Sequence, residues 1–157
     1  METLEALENA YEELKRADHL LYVSLKYTRT VDIIKHIIER LIGSSGFAFD
    51  SILLNLQEQK KITDIPSQPL KKAEQLRKYY PEDQKIQEIV DLYLLWRKMD
   101  RAEFSRAKEF RRHVTMSVTI DGAPHDIDID KMHIYFEKTK EFYNHANSIV
   151  VPKKTED

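Results

Sequence analysis

The sequence predicts a mainly α fold, an up-and-down helical bundle of about five helices with a C-terminal β-hairpin before the last helix. Three observations predict it. Apolar residues recur every three or four positions over most of the chain, the signature of helices that bury one stripe. Only three glycines and five prolines occur in 157 residues, too few for a loop-rich or all-β design. A strict two-residue alternation appears only after His113.

The first helix follows from Leu4, Leu7, Tyr11, Leu14, Ala17, Leu21 and Leu25, which share one stripe. Leu20, Tyr22, Val23 and Tyr27 add apolar surface on its other faces, which predicts that this end lies at the centre of the bundle. Thr30 is placed to cap a second helix carrying Val31, Ile34, Ile38, Leu41 and Ile42. Gly43-Ser-Ser-Gly46 predicts a kink or a break there, before Phe49, Ile52, Leu53 and Leu56 resume the spacing.

Residues 60 to 69 read as a loop, with Pro69 opening a helix through Tyr79. Pro81 restarts the pattern, and Ile86, Ile89, Val90, Tyr93, Leu94 and Trp96 mark a strongly apolar helix. No glycine or proline stops it before His113, so the expectation is one bent helix, or two nearly continuous ones, to that point. Val114, Met116, Val118 and Ile120 then alternate with polar residues, Asp121-Gly-Ala-Pro124 supplies a turn, and His125 to Asp130 alternates again. Asp130 is expected to cap a last helix with Met132, Tyr135, Phe136, Thr139, Phe142, Tyr143, Ala146 and Ile149 as its stripe. Residues 1–150 are therefore expected to form a single helical-bundle domain, and 151–157 a disordered tail.

Composition narrows the function. With no cysteine there are no disulfides, thiolate metal sites or cysteine nucleophiles, which points to a reducing compartment and a cytoplasmic protein. No apolar run reaches the roughly 18 residues of a membrane span, and the acidic N-terminus is not a signal peptide. Lys+Arg 25 against Asp+Glu 27 leaves no overall basic field, so any polyanion surface must be local. Glycine-rich phosphate loops, nucleophile elbows and zinc-finger spacings are missing.

The most unbalanced stretch runs from Arg97 to His113. Arg97, Lys98, Arg101, Arg106, Lys108, Arg111 and Arg112 face only Asp100, Glu103 and Glu109. Such a stretch is either a solvated helix face or a phosphate-binding patch, because guanidinium groups fork onto phosphate oxygens. Arg97, Arg101, Lys108, Arg111 and Arg112 are the candidate phosphate-binding residues. On a continuing helix Arg106 and His113 would lie two turns apart on one face.

This Arg106-Ala-Lys-Glu-Phe-Arg-Arg-His113 element, late in a helical chain with two long N-terminal helices, resembles the HEPN superfamily of helical ribonucleases and nucleotide-associated domains. The resemblance implies that His113 is a general acid/base on a ribose 2′-hydroxyl and that Arg106 stabilises the charge developing on phosphorus, without a metal. It further implies a site formed between two protomers, hence a homodimer, and RNA or a nucleotide as ligand. The chain departs from the pattern in Ala107, where the family has a polar residue, and in the hairpin straight after His113. Arg29-Thr-Val-Asp-Ile-Ile-Lys-His36 repeats the same spacing on the second helix.

Asp121, His125, Asp126, Asp128 and Asp130 offer ligands to a hard cation, and Asp130-Lys-Met-His133 has the three-residue step of a diiron element. Alternation with isoleucine explains the aspartates as the wet face of a strand, and no second carboxylate-histidine element exists, so neither a metal nor a cofactor is expected. The function that follows is a non-enzymatic dimerisation or interaction module, docking through the hairpin edge or the surplus apolar surface of the first helix. The alternative is a HEPN-like RNA- or nucleotide-binding protein, with metal-independent cleavage by Arg106 and His113.

Overall fold

The computed structural model describes residues 1–151; the expected tail from residue 152 onward lies outside them. Helix α1 (Thr3–His19) continues through one π-helical turn (Leu20–Ser24) into a last turn, α2 (Leu25–Tyr27). α3 (Val31–Glu58), α4 (Pro69–Tyr79) and α5 (Gln84–Arg101) follow. Strands β1 (Phe104–Ala107), β2 (Thr115–Ile120) and β3 (Ala123–Ile127) precede α6 (Ile129–Val150). The mainly α bundle predicted from periodicity is the fold observed.

The centre of the bundle is α3, not the first helix. It packs against α1, α4, α5 and α6, and Ile34, Ile37, Ile38, Leu41, Phe49, Ile52 and Leu53 are at most 1% exposed. The surplus apolar residues of the first helix, Tyr22, Val23 and Tyr27, remain exposed instead. α1 and α3 run antiparallel, since Thr3 meets Glu58 and Ala10 meets Ser44. Ala6, Ala10 and Ala17 on α1 and Ser44, Ser45 and Ala48 on α3 are buried, and their small size lets the backbones come close.

That packing corrects the expected break at Gly43-Ser-Ser-Gly46, where α3 is continuous. The Ser44 hydroxyl donates to the Ala10 carbonyl at 2.8 Å, so it is satisfied across the interface rather than competing for its own helix backbone. Gly43 faces Glu13, whose carboxylate would lie 3.1 Å from an added Cβ. Small residues read as punctuation are contact residues here.

The second correction lies after α5. The helix ends at Arg101 rather than His113, Ala102 is extended (φ −74°, ψ 151°), and the chain enters a strand that periodicity did not announce. β1 pairs antiparallel with β2, Phe104 opposite Val118 and Arg106 opposite Met116, making the expected hairpin a three-stranded sheet ordered β1-β2-β3. Asp121 and Gly122 form its two-residue β2–β3 turn with φ of 51° and 81°, the conformation that Asp-Gly favours. Met116, Val118, Ile120 and Ile127 are buried against the helices.

β3 stops at Ile127, and Asp128 rather than Asp130 caps α6, accepting from the Lys131 backbone at 2.8 Å. The predicted α6 stripe is buried at Met132, Tyr135, Phe136, Thr139, Phe142 and Ala146. Phe142 stacks edge-on against Phe49 of α3 at 5.5 Å, a burial that contributes about 2 to 3 kcal/mol.

Candidate nucleic-acid interface at the α2–α3 end

α3 begins where several remote segments meet. Thr30 caps it locally, its hydroxyl accepting from the Ile33 N–H at 3.4 Å. The loop between β1 and β2 folds over the same terminus: the Glu109 carboxylate accepts from the Val31 N–H at 3.3 Å, and the Phe110 N–H donates to the Arg29 carbonyl at 2.6 Å. A carboxylate at a helix N-terminus is favoured by the helix dipole as well as by the unpaired N–H groups. The basic segment is thereby fixed to the start of α3.

Arg106 completes the clasp. Its guanidinium bonds Asp32 in the first turn of α3 at 2.8 Å and Glu109 at 3.4 Å. The Arg106 hydrogen bond holds the Asp32 carboxyl below its ordinary range, and the same bond raises Arg106. Phe104 on β1 has two cations beside its ring, Lys35 Nζ 5.0 Å and the Arg106 guanidinium carbon 5.1 Å from the ring centre.

The loop carries backbone strain. Lys108 has φ 56° and Phe110 has φ 65°, a left-handed conformation that costs a residue with a side chain about 1 to 2 kcal/mol. Phe110 nonetheless points into water, 76% exposed, and Tyr27, two residues before its Arg29 partner, is 79% exposed. Lys108, Arg111, Arg112 and His113 surround Phe110 in sequence and are all exposed. Next to this lies a groove of about 210 Å³ between the end of the first helix and the start of α6, lined by Leu25, Lys26, Arg29, Ile129 and His133. Tyr22 closes one side, its ring 5.0 Å from that of His133.

The expected Arg106–His113 geometry is corrected. Arg106 stands in a strand and His113 in the following loop, so no helix face carries both. Arg106 is engaged by two carboxylates, whereas the His113 ring makes no hydrogen bond among the described residues; its carbonyl accepts from the Thr115 hydroxyl at 2.7 Å. Of the candidate phosphate-binding residues, Lys108, Arg111 and Arg112 are on the loop. Arg101 ends α5 and is exposed, while Arg97 lies over Tyr93 of its own helix, 5.7 Å from the ring centre.

The structure brings the two Arg-x6-His segments together, since Arg29 and the loop containing Phe110 are bonded directly. Spacing alone had no means of pairing them. Tyr27, Phe110 and Glu109 carried no motif signal; the positive φ at Phe110 is a property of the folded backbone.

The aspartates near the hairpin have other partners. Asp121 pairs with Lys98 at 2.7 Å, Asp126 accepts from the Ser117 hydroxyl at 2.7 Å, and Asp128 is the α6 cap. Among the described residues no three His, Asp or Glu side chains converge as a metal site would require, and no helix is long and apolar enough to cross a membrane. No protein-family model matches the chain, and neither the curated proteins nor the solved structures give a match.

Proposed function

We propose that this chain is a non-enzymatic interaction module whose contact surface is the α2–α3 end, and that its ligand there is single-stranded RNA. The observation that carries this reading is Phe110, held in water on a left-handed backbone by two long-range hydrogen bonds and flanked by Lys108, Arg111 and Arg112. Strain retained around an exposed aromatic favours a functional role over a packing one. An aromatic face takes any base by stacking, worth about 1 to 3 kcal/mol, and neighbouring arginines take the phosphates. Tyr27 offers a second stacking face close by.

A protein partner of opposite charge would meet the same cations, but two exposed aromatic rings beside them fit bases better. Binding without cleavage is preferred to the HEPN-like ribonuclease reading, because Arg106 is occupied by Asp32 and Glu109 and would have to leave both to reach a phosphate. A homodimer has one specific support, the outer edge of β1, which no described strand covers. Pairing of two β1 edges would make a continuous six-stranded sheet. Pairing through the basic end instead would set like charges face to face.

The test is fluorescence anisotropy with a labelled mixed-sequence single-stranded RNA at low and high salt. Contacts from three or four cations give a slope of log affinity on log salt of about −2 to −3. Phe110→Ala weakens binding about tenfold and Arg111→Ala/Arg112→Ala reduces the slope. Absence of binding at low salt, or binding indifferent to both variants, overturns the reading. RNA cleavage lost in His113→Ala would replace it with the ribonuclease.

A further inference from the structure

The groove at the end of the first helix is built around an irregular turn. The π-helical residues Leu20–Ser24 close with the Leu25 N–H donating to the Leu20 carbonyl, and neither glycine nor proline lies among them. Such turns inside α-helices recur at functional sites. Ala17, Leu21 and Leu25, each four positions apart, stay buried through it, and Leu21 and Leu25 floor the groove together with Ile129. Tyr22 and His133 make an aromatic wall, their ring centres 5.0 Å apart.

The charged groups lining the groove are of one sign. Lys26 and Arg29 line it and no carboxylate does, and neither cation has an ion pair or a side-chain hydrogen bond among the described residues. Elsewhere the half-buried Arg40, Lys72 and Arg77 each hold a carboxylate. Arg29 is half-buried with its Nε enclosed and unpartnered, so packing fixes the guanidinium while its two terminal amino groups stay free. A partly desolvated charge without a counter-charge is costly, and an anion at those amino groups offsets the cost. Of the acids beside Ile129, Asp128 is engaged as the α6 cap and Asp130 is exposed. Burial, then the Glu137 and Asp18 carboxylates, push the Tyr22 phenol above its usual range, but neither acid lines the groove.

We propose that the groove is a nucleotide pocket: one unpaired base of the bound RNA lies on Leu21, Leu25 and Ile129 against the Tyr22–His133 wall, and its phosphate accepts from the Arg29 terminal amino groups beside Lys26. The choice of ligand rests on the RNA reading above. Arg29 joins the two surfaces, because its carbonyl accepts from the Phe110 N–H at 2.6 Å, so a strand stacked on Phe110 runs beside the groove. Guanidinium groups fork onto phosphate oxygens, and an aromatic wall takes a base. The volume of about 210 Å³ is below the usual range for drug-sized ligands and suits one base.

The experiment is a ¹H–¹⁵N titration of the full chain with the four 5′-ribonucleoside monophosphates, the matching nucleosides and inorganic phosphate serving as controls. Saturable shifts centred on the amides of Leu21, Leu25, Arg29 and His133 are expected for at least one nucleotide, its nucleoside and phosphate each binding about tenfold more weakly. Arg29→Gln weakens the nucleotide about tenfold by removing the charged donor, and Tyr22→Ala does so by removing the wall. Circular dichroism establishes that each variant is folded; Tyr22 is 46% exposed, so Tyr22→Ala decides alone should Arg29→Gln not fold. No saturable shift at about 10 mM of any nucleotide overturns the proposal, as do equal affinities for nucleotide and either control, or unchanged affinity in a folded variant. Free nucleotides need no strand, which separates the two readings. Saturable nucleotide binding by a chain that binds no RNA keeps the groove and overturns the RNA reading, whereas RNA binding beside a silent nucleotide titration overturns the groove alone.

Discussion

The Glu109 carboxylate accepts a hydrogen bond from the Val31 backbone at 3.3 Å, across 78 positions of sequence, so that a loop between two strands closes the first turn of the central helix. The contact joins stability to surface, because the same loop presents Phe110 and its cations. Removing it with Glu109→Ala should cost about 1 kcal/mol, the scale of a lost helix cap. Urea unfolding measures this. Hydrogen exchange at the Phe110 amide should accelerate in the same variant, since the loop loses one of its two hydrogen bonds to residues 29–31. A variant as stable and as protected as the parent would show that the loop is held otherwise.

Phe110 itself separates folding from binding. Its left-handed backbone costs about 1 kcal/mol or more, and a side chain 76% exposed returns little by burial. Asparagine tolerates that conformation better, so Phe110→Asn should be as stable as the parent or up to about 1 kcal/mol more stable. RNA affinity should fall in the same variant, because the stacking face is gone. A clear loss of stability would mean that the Phe110 ring packs within the fold.

How much of this was legible in the sequence depends on whether the cause was local. The stripe from Met132 to Ala146 and the Pro69 start of α4 each follow from neighbouring residues and stand as read, while the turn expected over Asp121 to Pro124 narrows to Asp121 and Gly122, with Ala123 and Pro124 paired in β3. β1 was not legible because Phe104–Ala107 has no alternating apolar pattern; its pairing with β2 decides its conformation. The candidate site was half legible. The charge imbalance located the loop, but the helix assumed for Arg106 and His113 was wrong, and the meeting of Arg29 with Phe110 is tertiary.

The pairing of Asp32 with Arg106 carries a pH dependence of determined sign. The Arg106 hydrogen bond lowers the Asp32 carboxyl in the folded chain, so the unfolded state binds its proton at the higher pH. Stability from the pair is present above the ordinary aspartate value of about 3.9 and is lost as pH falls through the lower, folded value. Both groups are solvent-exposed, so the contribution is small. In Arg106→Ala the Asp32 titration, followed by carboxyl-carbon NMR, should move upward, and the acid-side difference between the two proteins should vanish when both are fully protonated.

Gly43 and Gly46 give paired substitutions with different outcomes, although they share one helix turn. Alanine in place of a mid-helix glycine stabilises by about 0.5 to 1 kcal/mol where space allows. At Gly46 it does allow, with the nearest atom 3.7 Å from the new Cβ, so Gly46→Ala should raise the melting temperature. At Gly43 the new Cβ would lie 3.1 Å from the Glu13 carboxylate, which is tied to Arg16 and Arg40 at 3.0 and 3.1 Å. Displacing that carboxylate strains both ion pairs, so Gly43→Ala should gain less than Gly46→Ala or lose stability outright. Thermal unfolding of the two variants side by side checks the order; the reverse order would place the tight approach of α1 to α3 away from Gly43.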